Sequence, residues 1–141
     1  MGKQSGYHVG RDRPVWLTAA HCVIGIVGSR RYAAPERVRA FVRQLEYFRR
    51  RDETLPVVVL SGGARGVDTI AAATAQRAGL LVWVMPAEWH LYGKAAGTRR
   101  NTDLVAAADF VAVFWDGESL GTKHTLALAE SAEKILTVEC A

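Results

Sequence analysis

Val57-Val-Val-Leu-Ser61-Gly62-Gly63-Ala64-Arg65-Gly66-Val67-Asp68 is the stretch whose reading decides the fold. Three β-branched residues and a leucine read as a strand buried on both faces, as in a parallel sheet. A turn of small residues follows at once. A helical pattern then begins, with Val67, Ile70, Ala71 and Ala78 on one face and Thr74 as its one polar member. Strand, glycine turn and helix N-terminus form an anion-binding geometry, because the first helical N–H groups lack internal partners and the macrodipole adds positive charge there. Gly62 and Gly63 are expected to allow positive φ and close approach of a ligand. Arg65 is expected to offer a two-pronged contact to phosphate. The same pattern also suits a tight βα turn that binds nothing.

Working outward, the flanking segments alternate in the same way. Upstream, Cys22–Val27 is a second buried strand ending in Gly28-Ser29-Arg30-Arg31, again a small-residue turn. Pro35-Glu36 opens a helix, with Pro at its first turn and an acid beside it. Val38, Phe41, Val42, Leu45 and Phe48 form its core stripe. Asp52 to Pro56 is a polar loop. Downstream, Gly79 ends the second helix and Leu81–Met85 is the next strand.

The long insertion Pro86–Gly97 holds Trp89 and Tyr92, aromatics able to stack on a base or to roof the sheet edge. Thr98 starts a helix with Arg100 and Asn101 at its N-terminus. Phe110–Phe114 is a strand, Trp115–Thr122 its turn, and Thr122 the expected N-cap of the last helix. Ile135–Val138 closes the set.

Five apolar strands separated by four helices predict an α/β fold: a doubly wound, Rossmann-like, parallel five-stranded sheet. Right-handed crossovers favour the order 3-2-1-4-5. That order puts the switch point between the first and fourth strands. Gly28–Arg30 and Asp116–Thr122 then flank one crevice, with Ser61–Gly66 beside it. It also separates Cys22 from Cys140 by an intervening strand, roughly 9–10 Å at ~4.8 Å per strand, too far for a disulfide. Both are expected as free thiols.

Composition bounds the rest. The chain has 141 residues, half of them hydrophobic, which suits one domain. Residues 1–20 lack a clean period and read as a flexible N-terminal arm that orders only if Val15, Trp16 and Leu17 cover a surface; residues 21–141 read as the domain. No run approaches a membrane span and no signal-peptide core is evident, so a cytoplasmic protein without membrane partners is expected. The net charge of +4 divides unevenly: residues 1–51 balance at +8 and residues 52–141 at −4. The basic half suits nucleic acid, but Arg37, Arg39, Arg43, Arg49, Arg50 and Arg51 read better as the wet face and last turn of one helix. Thr18-Ala19-Ala20-His21-Cys22 matches the catalytic-histidine segment of trypsin-like proteases. The chain is too short for two barrels and lacks the nucleophile loop, so His21 reads as the entry to a strand. His90 and His124 lack companions at ligand spacing, and no metal is expected.

Five motifs stand in order: Gly28-Ser29-Arg30; Ser61-Gly62-Gly63-Ala64-Arg65-Gly66-Val67-Asp68; Pro86-Ala87-Glu88-Trp89 with Tyr92–Gly97; Arg100-Asn101; and Phe114–Thr122. Together, over residues 22–139, they resemble the YspA-type branch of the SLOG superfamily. Thr98 departs from that branch, which usually has a proline shortly before its Arg-Asn pair. The resemblance implies a nucleotide-ligand-binding Rossmann-like domain, often a homo-oligomer, for nucleotides or ADP-ribose-like ligands. Relatives include lonely-guy phosphoribohydrolases and DNA-processing protein A. The implied ligand-binding residues are Gly28, Ser29, Arg30, Ser61, Gly62, Gly63, Ala64, Arg65, Gly66, Asp68, Trp89, Arg100, Asn101, Asp116, Gly121 and Thr122.

The phosphoribohydrolases carry a glutamate in their Pro-Gly-Gly-x-Gly-Thr-x-x-Glu motif, and Thr125 stands there. Threonine supplies neither a carboxylate base nor charge for an oxocarbenium-like centre. Binding by a sensor or effector module is therefore expected over N-glycosidase activity, with Asp116 or Glu118 the nearest substitute acids. Single-strand nucleic-acid binding and a purely structural role are the remaining alternatives.

Overall fold

The computed structural model describes residues 6–51 and 56–141; the expected 52–56 loop lies mostly outside them, as do residues 1–5 of the expected arm. The elements are β1 (Tyr7–Val9), β2 (Cys22–Gly28), α1 (Pro35–Arg51), β3 (Val57–Ser61), α2 (Val67–Arg77), β4 (Leu81–Val84), α3 (Trp89–Tyr92), a 3-10 turn (Gly93–Ala95), α4 (Ala96–Ala107), β5 (Phe110–Trp115), α5 (Leu120–Ser131) and β6 (Ile135–Cys140). All strands pair in parallel in one sheet ordered β1-β4-β3-β2-β5-β6.

The five strands read from sequence take the expected order. The sixth is a correction: Tyr7–Val9, inside the stretch assigned to the arm, pairs with Val82–Val84 at the sheet edge. Its signal is weak because three residues are too few to show a period. Trp83 holds the segment by donating from its indole Nε1 to Gly10 O at 2.8 Å. Trp16 and Leu17 pack on the core, while Val15 stays exposed.

Helices α1 and α2 cover one face of the sheet and α4 and α5 the other, which is why the central strands are apolar on both faces, with Ser61 the polar exception at the carboxyl end of β3. Val57–Leu60 and Val23–Val27 are buried throughout. On α1, Val38, Val42 and Leu45 are buried and Phe41 packs against them, but Phe48 is exposed. Phe48 borders an open apolar groove beside Cys22, Val57 and Phe110 and is left partly exposed there. Arg37, Arg43 and Arg51 lie on the solvated side of α1. Cys22 and Cys140 stand on β2 and β6 with β5 between them, both as free thiols.

Gly28 ends β2 where α2 crosses it. A Cβ there would collide with Phe114 O and lie 2.8 Å from Val67 Cβ, both fixed by the core. Gly28→Ala is expected to lower unfolding free energy by about 2 kcal/mol or more, since neither neighbour is free to move. Urea denaturation with an unchanged m-value is the measurement.

Candidate functional site

Because the strands are parallel, β2, β3 and β5 deliver their carboxyl ends to the same edge. A cavity of about 510 Å³ opens there. Of the residues expected from sequence, Gly28, Arg30, Gly62, Ala64, Asp68, Trp89, Arg100, Asn101, Asp116, Gly121 and Thr122 line it. Ser29 and Ser61 lie buried beneath the wall. Gly63, Arg65 and Gly66 do not line it, and Arg65 faces solvent.

Ser29 ties two of the turns together. Its Oγ accepts from Asp116 N at 3.0 Å and lies 3.2 Å from Thr122 Oγ1. The Asp116 carboxylate accepts from Glu118 N at 2.9 Å and Ser119 N at 2.8 Å. Those two amides, Ser119 first, hold its pKa below the ordinary carboxylate value. Helix α5 starts two residues before the expected cap. Ser119, not Thr122, is the N-cap, accepting from Thr122 N, so Thr122 is already in the first turn. Leu120 and Gly121 open the helix at the cavity wall, and their N–H groups have no helical acceptor.

The Ser61–Gly66 turn differs from expectation. Gly63 N donates to Ser61 Oγ at 3.2 Å and Ala64 N to Asp68 Oδ2 at 3.3 Å, so two amides of the expected phosphate cradle are already used. The glycines serve packing. Gly66 has φ 82°, and a Cβ there would lie 2.6 Å from Arg30 O. The space above Gly62 holds this protein's own Arg100 and Asp68: a Cβ would meet Arg100 Nη1 and Asp68 Oδ2, each at 2.7 Å. Gly62 itself does not adopt the expected positive φ.

Arg100 and Asp68 form the floor. Arg100 donates through Nη1 to Gly62 O and through Nε to Asn101 Oδ1 at 2.9 Å. Burial pushes its pKa down, Asp68 opposes that, and Arg30 adds to it. Asp68 is 5% exposed, and its Oδ1 has no hydrogen-bond partner among the described residues. Burial drives its pKa up from 3.8 to about 6, against the pull of Arg100, of the Ala64 and Gly28 amides and of Arg30. Helix α4 begins at Ala96 rather than Thr98, so Arg100 sits in its second turn and acts through its side chain instead of a helix terminus.

Trp89 is 55% exposed at the rim. Tyr92 lies outside this cavity, with the Arg99 guanidinium 4.0 Å over its ring. Arg31, Lys94 and His124 also line the cavity and were not singled out from sequence as binding residues. His124 shares a helical face with Gly121, a spacing visible only once the start of α5 is known. Its Nδ1 is buried without a partner among the described residues. Four cationic side chains (Arg30, Arg31, Lys94, Arg100) thus face two carboxylates (Asp68, Asp116), and the cavity is electropositive. No group of three or more potential metal ligands occurs among the described residues. No helix among them is long and apolar enough to cross a membrane.

No family model matches this chain. Gene 61 protein of Mycobacterium phage D29 is 40% identical over 82 residues, covering 54% of this chain and 66% of that protein, just under two thirds of its length. Among solved structures, DNA processing protein A of Streptococcus pneumoniae superposes with a TM-score of 0.66 at 19% identity, over 83% of this chain and 50% of that one. TM1055 superposes at 0.54 and 18% identity, over 81% and 72%. These likenesses show a shared Rossmann-like α/β fold. The chain spans half the length of DNA processing protein A.

The buried carboxylate makes stability depend on pH. An acid whose folded pKa lies above its unfolded value contributes stability that is full below the unfolded pKa and lost as pH rises through the folded one. For Asp68 that window runs from about 4 to about 6, and the cost of ionisation above it is on the order of 2–3 kcal/mol. Urea melts of wild type and Asp68→Asn at pH 4.5 and 7.5 are expected to show the stability difference moving in favour of wild type at the lower pH. A pH-independent difference would contradict the assignment.

Proposed function

We propose that this domain binds a nucleotide or nucleotide-derived phosphate ligand at the carboxyl edge of its sheet, as a sensor or effector module of the SLOG type. The observation that carries the reading is the electropositive cavity at the switch point, where the open first turn of α5 meets Arg30 and Arg100. Helix N-terminal amides and guanidinium groups suit a phosphate for the same reason: both offer donors and positive charge to a dianion. The phosphate lies at Leu120–Gly121 rather than at the Ser61–Gly66 turn, whose Gly63 and Ala64 amides are occupied. Trp89 at the rim offers a face on which a base stacks. The fold shared with DNA processing protein A and TM1055, and the ordered motifs from Gly28 to Thr122, support the same reading.

Binding is favoured over N-glycosidic hydrolysis at the helix that would carry the catalytic glutamate. Thr125 is buried there and donates from Oγ1 to Gly121 O at 3.1 Å, so the position is a helix-bound hydroxyl.

Native mass spectrometry of freshly purified protein is expected to show a co-purifying nucleotide-sized mass. Thermal shifts with nucleoside 5'-monophosphates and ADP-ribose are expected to identify the class, since a ligand at about a hundred times its Kd adds ~2.7 kcal/mol. Arg30→Ala is expected to weaken binding about tenfold. Absence of any bound mass and of any shift would remove the reading, and release of free base from a monophosphate would replace it with hydrolysis.

A further inference from the structure

Helices α1 and α2 carry the chain from β2 to β3 and on to β4, away from β6, while α5 crosses to β6 over the opposite face. The α1 side of β5 and β6 is therefore left to α1 alone. That helix lies close to the sheet at the carboxyl end, where Arg37 Nη1 donates to Cys140 O at 3.1 Å and Phe41 meets Phe114 edge to face at 5.8 Å. Toward its last turn it leaves an apolar groove of about 660 Å³, lined by Cys22, Leu45 and Val57 together with Phe110 and Leu136.

A projection stands beside this groove. Phe48 borders it and is 53% exposed, with the Tyr47 ring against it at 5.7 Å. Phe110 and Leu136 are 44% and 45% exposed along the same groove. Apolar side chains gathered at one corner in this way mark an interaction surface. The two ends of the groove carry opposite charges. Arg51 ends α1 near Cys22 and Val57, the first residues of β2 and β3, and its Nη1 donates to Tyr47 Oη at 2.8 Å. Glu139 is in register with Phe114, near the carboxyl end of β6. The span along β5 from Phe110 to Phe114 puts roughly 13 Å between these ends at ~3.3 Å per residue. Neither charge is in an ion pair among the described residues.

A two-fold axis across the groove brings each end against the opposite end of a second copy. Projection then meets groove and cation meets anion, twice over, which is the self-complementarity an isologous interface requires. We propose that this face is a homodimer interface, in which Phe48 of each copy fills the groove of the other and Arg51 pairs with Glu139 of the second copy. An apolar ligand or a lipid surface covers the same side chains but leaves the two charges unanswered. The interface shares no residue with the lining of the carboxyl-edge cavity, so it stands or falls independently of phosphate binding.

The test is analytical ultracentrifugation of the full chain from low to high micromolar concentration, where a dimer is expected. Phe48→Glu is expected to raise its dissociation constant about thirtyfold or more, because a carboxylate then enters an apolar groove. Arg51→Glu and Glu139→Arg are each expected to weaken the dimer about tenfold, since each sets like charges against one another, and the two together to restore it. A wild type that sediments as a monomer throughout overturns the proposal. So does a dimer that Phe48→Glu leaves intact, or a double variant that associates no more tightly than either single reversal. Should Phe48→Glu fail to fold, the charge-reversal set decides the question by itself.

Discussion

Everything in this molecule follows from the constraint that β2, β3 and β5 run parallel and lie side by side. A parallel sheet needs helical crossovers, and those crossovers cover both faces, so the central strands are apolar at successive positions. The same parallelism sends three turns to one edge. Residues 28–30, 61–68 and 116–122 meet there although 87 and 93 residues separate Ser29 from its partners Asp116 and Thr122.

Once gathered, the turns divide the labour. The turn after β5 keeps a helix N-terminus open to the cavity, because Ser119 and Asp116 satisfy the amides just before and after Leu120 and Gly121. The turn after β3 closes on itself through Ser61 and Asp68. Its small residues make room for protein: Gly62 lies under the Arg100–Asp68 pair and Gly66 against the Arg30 backbone. The cost of burying Asp68 shows in its raised pKa, near 6, and Arg100 offsets it only in part.

Most of the fold was legible because its signals are local. Buried strands such as Val57–Leu60 read as continuous apolar runs, Pro35-Glu36 marks a helix start, and crossover handedness orders the strands. What escaped depends on partners. Tyr7–Val9 becomes a strand because β4 offers it an edge, and Phe48, although on the core stripe of α1, borders a groove that stays open beside Cys22, Val57 and Phe110. The start of α5 at Leu120 depends on Ser119 being free to cap, which Thr122 in the same sequence concealed.

Sequence by itself determined five of the six strands, the order of those five and most of the residues that converge, since apolar periodicity and glycine placement are properties of short segments. Only the tertiary structure decided which amides stay open, because Asp68 and Ser61 reach theirs through the turn's own shape. It alone set Arg100 across Gly62 and beside Asp68, since side chains from α2 and α4 meet there only after the sheet has formed.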